Sequence, residues 1–258
     1  MTIGVSGDKV VIEVYNLNII LIMKTLKILM TAILVASLFT SCRKEINGSG
    51  VFIVQTRITS PFSEVKSCGD FTVILKEDSV SRIELYGEDN ILPEIETDVY
   101  GNELRITYRD YNRKYDDNGV TITIYNPKFR AVDMQGSGTI TSHTILNSET
   151  VNATVSGSGR MDLAVNAVNL FSSISGSGKI SFSGSSANAN HKISGSGKIA
   201  AFGMLSENVN ATISGSGDCE VNVIDFLDAT ISGSGNVLYR GNPRVAAHIS
   251  GSGKVKPG

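Results

Sequence analysis

The sequence predicts an all-β chain whose C-terminal half is a solenoid of about 20 residues per coil, and three observations lead there. Gly-Ser-Gly begins at residues 136, 157, 176, 195, 215, 233 and 251, in steps of 21, 19, 19, 20, 18 and 18. Self-similarity at such a period marks stacked coils, each burying its apolar side only against its neighbours. The flanks of every copy alternate apolar and polar residues with period two and are rich in β-branched side chains, which is strand patterning. The 26 glycines stand beside only 5 prolines in 258 residues, so they punctuate something regular and do not form a Pro/Gly linker. Leucine-rich repeats share the period, but no Leu-x-x-Leu-x-Leu frame is present.

The start of the chain reads as an address. Residues 1–22 fit no signal pattern, and Met23-Lys24 is a better start than Met1. From Met23 come Lys24 and Lys27, an apolar run Ile28–Phe39, then Thr40, Ser41 and Cys42. That is the order of an export signal, residues 23–41, whose apolar run is too short to span a bilayer core that needs about 20 residues. An uncleaved anchor is the other reading, helped by the apolar stretch Ile19–Ile22. Cys42 immediately after Leu38-Phe39-Thr40-Ser41 resembles a bacterial lipobox, which makes Cys42 the lipidated first residue of the mature chain and residues 42–50 a short tether. Several acyl chains exceed the two signals that stable anchoring requires. The expectation is an exported protein whose membrane contact is its amino-terminal lipid in the outer membrane, with surface or periplasmic orientation left open.

Residues 51–135 form a less regular β region, continuous with the solenoid of residues 136–258. Apolar alternation marks strands at Val51–Ile58, Phe71–Leu75, Arg82–Tyr86 and Val120–Tyr125. Glu96–Val99 and Leu104–Tyr108 flank Gly101-Asn102 as a hairpin. Asn90–Ile95 reads as a helical turn, and the Tyr-, Arg- and Asp-rich Arg109–Gly119 as an exposed loop.

In the solenoid two inward columns frame each corner: Met134, Val155, Ile174, Ile193, Ile213, Ile231 and Ile249 before it, and Ile140, Met161, Ile180, Ile199, Cys219, Val237 and Val255 after it. Gly136, Gly138, Gly157, Gly159, Gly176, Gly178, Gly195, Gly197, Gly215, Gly217, Gly233, Gly235, Gly251 and Gly253 are the structural corner residues. They stand where the backbone needs φ > 0 or where backbone stacks on backbone. Ser156, Ser175, Ser194, Ser214, Ser232 and Ser250 precede them, placed to stack and to hydrogen-bond between coils.

Gly48-Ser49-Gly50, Ser60-Pro61-Phe62, Gly69-Asp70-Phe71, Asp89-Asn90-Ile91-Leu92-Pro93 and the serial Ile-Ser-Gly-Ser-Gly together resemble the head GIN domain family, described as putative auto-transporter adhesins. The resemblance covers residues 51–250. It implies a right-handed parallel β-helix of the pectate-lyase-like class, in a lipid-anchored or secreted envelope protein of Bacteroidetes-type bacteria. The family carries no established biochemical activity.

Chemistry is sparse. A net charge of −2 gives no electrostatic footprint for nucleic acid, and three cysteines at wide spacing make neither a disulfide framework nor a metal clip. No cofactor is expected and no catalytic constellation stands out. Asp218 and Glu220 are weak candidates for a metal, with solvated acids the simpler account. His143, His191 and His248 fall at three different offsets and form no stacked column. Arg160, Lys179 and Lys198 share one outward column on successive coils, about 5 Å apart, a ladder for an anionic ligand or a soluble face. Absence of Trp weakens a neutral-glycan reading.

The sequence therefore predicts a non-enzymatic, adhesin-like binding module with a glycan or protein ligand. The alternatives are a carbohydrate-active β-helix enzyme, lyase or hydrolase, and a periplasmic structural component. No capping segment follows the last coil, so a homo-oligomer or partner is expected to cover that end. A monodisperse monomer at high concentration in light scattering would argue against it.

Overall fold

The computed structural model describes residues 45–116 and 118–258; Cys42 and the signal segment lie outside the described residues. The amino-terminal part contains β1 (Glu45–Asn47), β2 (Phe52–Ile58), β3 (Glu64–Cys68), β4 (Thr72–Glu77), β5 (Arg82–Glu88), β6 (Ile95–Tyr100), β7 (Glu103–Tyr108), β8 (Lys114–Asp116) and β9 (Thr121–Asn126), with one 3-10 turn at Leu92–Glu94. The solenoid follows as β10 (Ala131–Gly136), β11 (Thr139–Ser142), β12 (Leu146–Gly157), β13 (Arg160–Gly176), β14 (Lys179–Gly195), β15 (Lys198–Gly215), β16 (Asp218–Gly233), β17 (Asn236–Arg240), β18 (Arg244–Gly251) and β19 (Lys254–Pro257). From β10 onward every coil pairs in parallel with the next, and the Gly-Ser-Gly corners superpose: Gly157 on Gly136, Gly176 on Gly157, Gly195 on Gly176, Gly215 on Gly195, Gly233 on Gly215 and Gly251 on Gly233. The expected parallel β-solenoid is what the chain forms.

Coil length follows from side-chain parity. Successive strand residues point to opposite faces, so a coil with an odd residue count breaks its alternation once if its inward columns are to stack. The 19-residue coil from Gly157 to Gly176 buries Met161, Leu163 and Val165, then changes phase to bury Leu170, Ser172 and Ile174. The 18-residue coil from Gly215 to Gly233 keeps one phase from Cys219 through Val223 to Leu227 and Ile231. The 20-residue coil changes phase twice, at Ala201/Met204 and Ser206/Val209, and the register shifts by one residue between Ser181 and Ser183 to admit the extra residue. The uneven steps in the sequence are thus absorbed away from the corners, where register is strict.

The corners use glycine for two separable reasons. Gly195 has φ +120°, a region L side chains rarely adopt, and a Cβ there would lie 2.5 Å from the Gly176 carbonyl oxygen of the coil beneath. That same oxygen accepts the Ser196 N–H at 3.0 Å. Gly197 has no such dihedral, but its Cβ would meet Ile174 Cγ2 at 2.5 Å and the Gly178 oxygen at 2.8 Å. The serine column before the corners does stack in register but is largely solvent-exposed. Its hydroxyls form no bonds to one another among the described residues, because water competes for them there.

Coil order in space departs from chain order. β3 lies between β7 and β10, and β4 between β9 and β11, all parallel. The coil of residues 64–77 is therefore threaded between the coil of residues 103–126 and the first regular one. Gly69 sits directly under Gly136, whose Cβ would meet the Gly69 oxygen at 2.6 Å. Cys68-Gly69-Asp70-Phe71 is thus a further corner with Asp70-Phe71 in place of Ser-Gly. Beyond β7 and β9 the stack is closed by antiparallel strands: β6 on β7, β5 on β9, and β2 on β5. Buried Asn126 joins the junction, accepting Ser81 Oγ at 2.7 Å and donating to the carbonyls of Phe62 and Lys128. The hairpin at Gly101-Asn102 and the turn at Pro93 form as expected. Part of the segment expected as a loop is a strand: β8 pairs in parallel with β1, and Tyr115 stacks on Tyr108 at 4.1 Å, which rests on Phe71.

The carboxyl end is different. β18 and β19 continue the parallel ladder on β16 and β17, and no described strand pairs with their outer edges. Ile249, in a column whose other members are buried, is 45% exposed for that reason. Residues 236–258 carry Arg240, Arg244, Lys254 and Lys256 and no carboxylate side chain.

Candidate functional site

The cation column forms as the spacing predicts: Arg160 registers with Lys179 and Lys179 with Lys198. The column then passes into Asp218, and Lys198 is engaged by the Glu220 carboxylate of the following coil. Arg160 and Lys179 make no ion pair among the described residues. Asp218 accepts the Asn236 backbone N–H at 3.1 Å and its side-chain amide at 2.9 Å. Both weak metal candidates are thus tied into contacts between coils. Of the three cations of the ladder, Lys198 alone is paired among the described residues, and the column ends on an acid.

A better-formed surface lies on the other strand run of each coil. Seven residues before the corner glycine, Asn169, Asn188, Asn208 and Phe226 form one outward column; two residues further on, Phe171, Asn190, Asn210 and Asp228 form its neighbour. Period two turns both columns outward, while Leu170, Ala189, Val209 and Leu227 between them face the core. The first column is a self-bonded amide ladder, Asn188 donating to Asn169 at 3.3 Å and Asn208 to Asn188 at 3.4 Å. In the second, Asn210 accepts Thr212 Oγ1 at 3.4 Å, and Asn190 has no side-chain partner among the described residues. Together they line a trough of about 270 Å³ with Phe171 at one end and Phe226 at the other. Phe171 is 46% exposed, so its ring is available to a ligand. A second hollow, lined by Asn152, Thr154, Ser173 and Lys192, opens on its far side. Asp228 is the one charged side chain lining the trough, and its Oδ1 is closed to solvent with no hydrogen-bond partner among the described residues. No lysine or arginine of the described residues lines the trough; Arg244 sits over the Phe226 ring, 5.4 Å from its centroid.

Sequence reasoning falls short of this site: the column it reads before each corner is Met134, Val155, Ile174, Ile193, Ile213, Ile231 and Ile249. The signal lies just beyond, as Asn188-Ala-Asn190, Asn208-Val-Asn210 and the matching Asn169-Leu-Phe171 and Phe226-Leu-Asp228 at one fixed offset.

Two pairs of buried polar side chains join coils inside the rod. His191 is buried, its Nδ1 2.7 Å from Ser172 Oγ on the coil beneath, with the Phe182 ring 6.0 Å away. Burial pushes its pKa down to about 4. Ser186 and Ser206 make a second buried pair at 2.9 Å. Cys219 is a buried free thiol, and burial raises its pKa. Cys68 is half-buried and also free, its pKa raised first by desolvation.

Residues 61–243 match the family described as putative auto-transporter adhesin, head GIN domain. The chain belongs to the head GIN domain family. No curated protein sequence matches this head GIN chain. Among solved structures, a putative adhesin from Bacteroides fragilis superposes with a TM-score of 0.79 at 23% identity, over 82% of this chain and 99% of that one. A protein from Parabacteroides distasonis described as a putative lipid binding protein gives 0.71 at 22% identity, over 83% and 100%. A putative adhesin from Parabacteroides merdae gives 0.69 at 24%, over 83% and 99%. At these identities the likeness establishes a shared head GIN fold, and the binding chemistry has to be read from this chain's own side chains.

Proposed function

We propose that this head GIN protein is a non-enzymatic, adhesin-like binding module, exported and held at the outer membrane by a lipid on Cys42, that meets its target with the lateral face of the solenoid. The observation that carries the reading is the strict register of the coils. It fixes outward side chains at a pitch of about 4.8 Å along a rod whose strands are hydrogen-bonded coil to coil, which suits repeated contacts to an extended partner. Two acids of the regular coils support the non-catalytic part: Asp218 and Glu220 are held by Asn236 and Lys198. A glycosidase pair, by contrast, stands about 5–10 Å apart across an open cleft.

Protease shaving of intact cells tests the adhesive reading. Loss of the chain while a periplasmic marker survives is the expected result, with Cys42→Ser releasing the protein from the membrane fraction. Protection until the outer membrane is broken would overturn adhesion.

A further inference from the structure

We infer that the trough between Phe171 and Phe226 is a binding site for a neutral glycan chain. The inference rests on the binding-module reading and gives it a ligand class. Three features of the trough point the same way. Sugars present two surfaces: an apolar face of C–H groups, which lies flat on an aromatic ring, and an equatorial rim of hydroxyls that both donate and accept. Phe171 supplies the ring, 46% exposed and shared by two adjoining hollows. Asn190 and Asn210 supply amides able to donate and accept at once, spaced one coil apart, and the amide of Asn190 is unengaged.

Asp228 decides between ligand charges. It is the one charged side chain lining the trough, and its Oδ1 is closed to solvent. A neutral, hydroxyl-rich chain meets no like charge there, whereas a phosphate, sulfate or uronate would, with no cation lining the trough to offset it. Phe171 and Phe226 are three coils apart, about 14 Å along the axis. The site therefore suits a short run of sugars rather than one. The Arg160 and Lys179 column lies on the other strand run and belongs to a different surface.

The test is affinity electrophoresis of the full chain, purified in detergent, through gels containing dextran, galactomannan, arabinoxylan or laminarin, with heparin as the anionic comparison. At least one neutral polysaccharide is expected to retard the protein equally at low and high salt, since no ion pair is lost on screening. Phe171→Ala and Asn190→Ala are each expected to weaken that retardation about tenfold or more, as removal of a central anchor does. Arg160→Glu with Lys179→Glu leaves it unchanged. Both trough positions are solvent-exposed, and unaltered unfolding curves for the variants show that the fold is intact. The inference is overturned by no retardation in any neutral gel, or by retardation that both trough variants preserve. Salt-sensitive retardation in heparin alone, lost in the charge-reversed variant, overturns it while leaving the binding module standing. Shortening of the polysaccharide on incubation instead overturns the non-enzymatic reading.

Discussion

Gly195→Ala is expected to destabilise the protein by about 3–5 kcal/mol, in the range reserved for backbone strain combined with a steric conflict that cannot relax. The new Cβ would stand 2.5 Å from the Gly176 carbonyl oxygen. That oxygen cannot retreat, because it holds the Ser196 N–H at 3.0 Å and its own glycine is stacked on Gly157 in the same way. Relief requires the two coils to separate at the corner, and a solenoid coil is supported only by its neighbours. Gly101→Ala is the control. Gly101 also has a positive φ, +63°, yet no atom lies within 4 Å of its Cβ position, so only the dihedral penalty of about 1–2 kcal/mol applies. Urea unfolding of the two variants measures the difference. A Gly195→Ala midpoint no lower than that of Gly101→Ala would show that the corner accommodates a methyl group, and that close backbone approach is not what demands glycine.

The same contrast shows why some of this protein is legible in its sequence. A repeat writes one structural demand many times, so the Gly-Ser-Gly columns and the inward Ile and Val columns can be read by alignment alone. The 64–77 coil is the counter-example. Its corner, Cys68-Gly69-Asp70-Phe71, is the same backbone event written with different residues. Its place in the stack is set by long-range pairing of β3 with β7 and β10, and no local pattern encodes that. The antiparallel closure by β2, β5 and β6 escapes for a related reason: period-two alternation is identical for parallel and antiparallel strands. The cation ladder is visible because register fixes which residues share a column, but its loss of Lys198 to Glu220 depends on side-chain reach across coils. The trough is legible in principle, since Asn-x-Asn recurs at a fixed offset, and its significance needs the exposure of Phe171 and the unengaged Asn190 amide.

His191 should make the fold acid-sensitive in a window whose upper part the carboxylates do not share. Its immediate neighbours in the column, Ser172 and Ala211, are small and leave room for an imidazole inside the rod. Buried beside Ser172 and Phe182, it titrates at about 4 against an ordinary 6.5, with desolvation of the charged ring as the cause. As pH falls the unfolded chain takes up this proton first, so stability is fully present above about 6.5, drains as pH falls toward 4, and stops falling below that. The total is about 3 kcal/mol, because each pH unit separating the folded and unfolded titrations is worth about 1.4 kcal/mol. Aspartates and glutamates with ordinary values titrate mainly below about pH 5, leaving the upper part of the window to His191. His191→Gln retains a side chain that can bond Ser172 Oγ and removes the titration. The stability difference between wild type and this variant is expected to move against the wild type by about 2 kcal/mol between about pH 7 and pH 4.5, measured by urea unfolding at each pH. A difference that stays constant over that range would mean that His191 is hydrated or paired in the folded protein, and the rod would then be less tightly closed at this coil than its neighbours Phe182 and Ser172 imply.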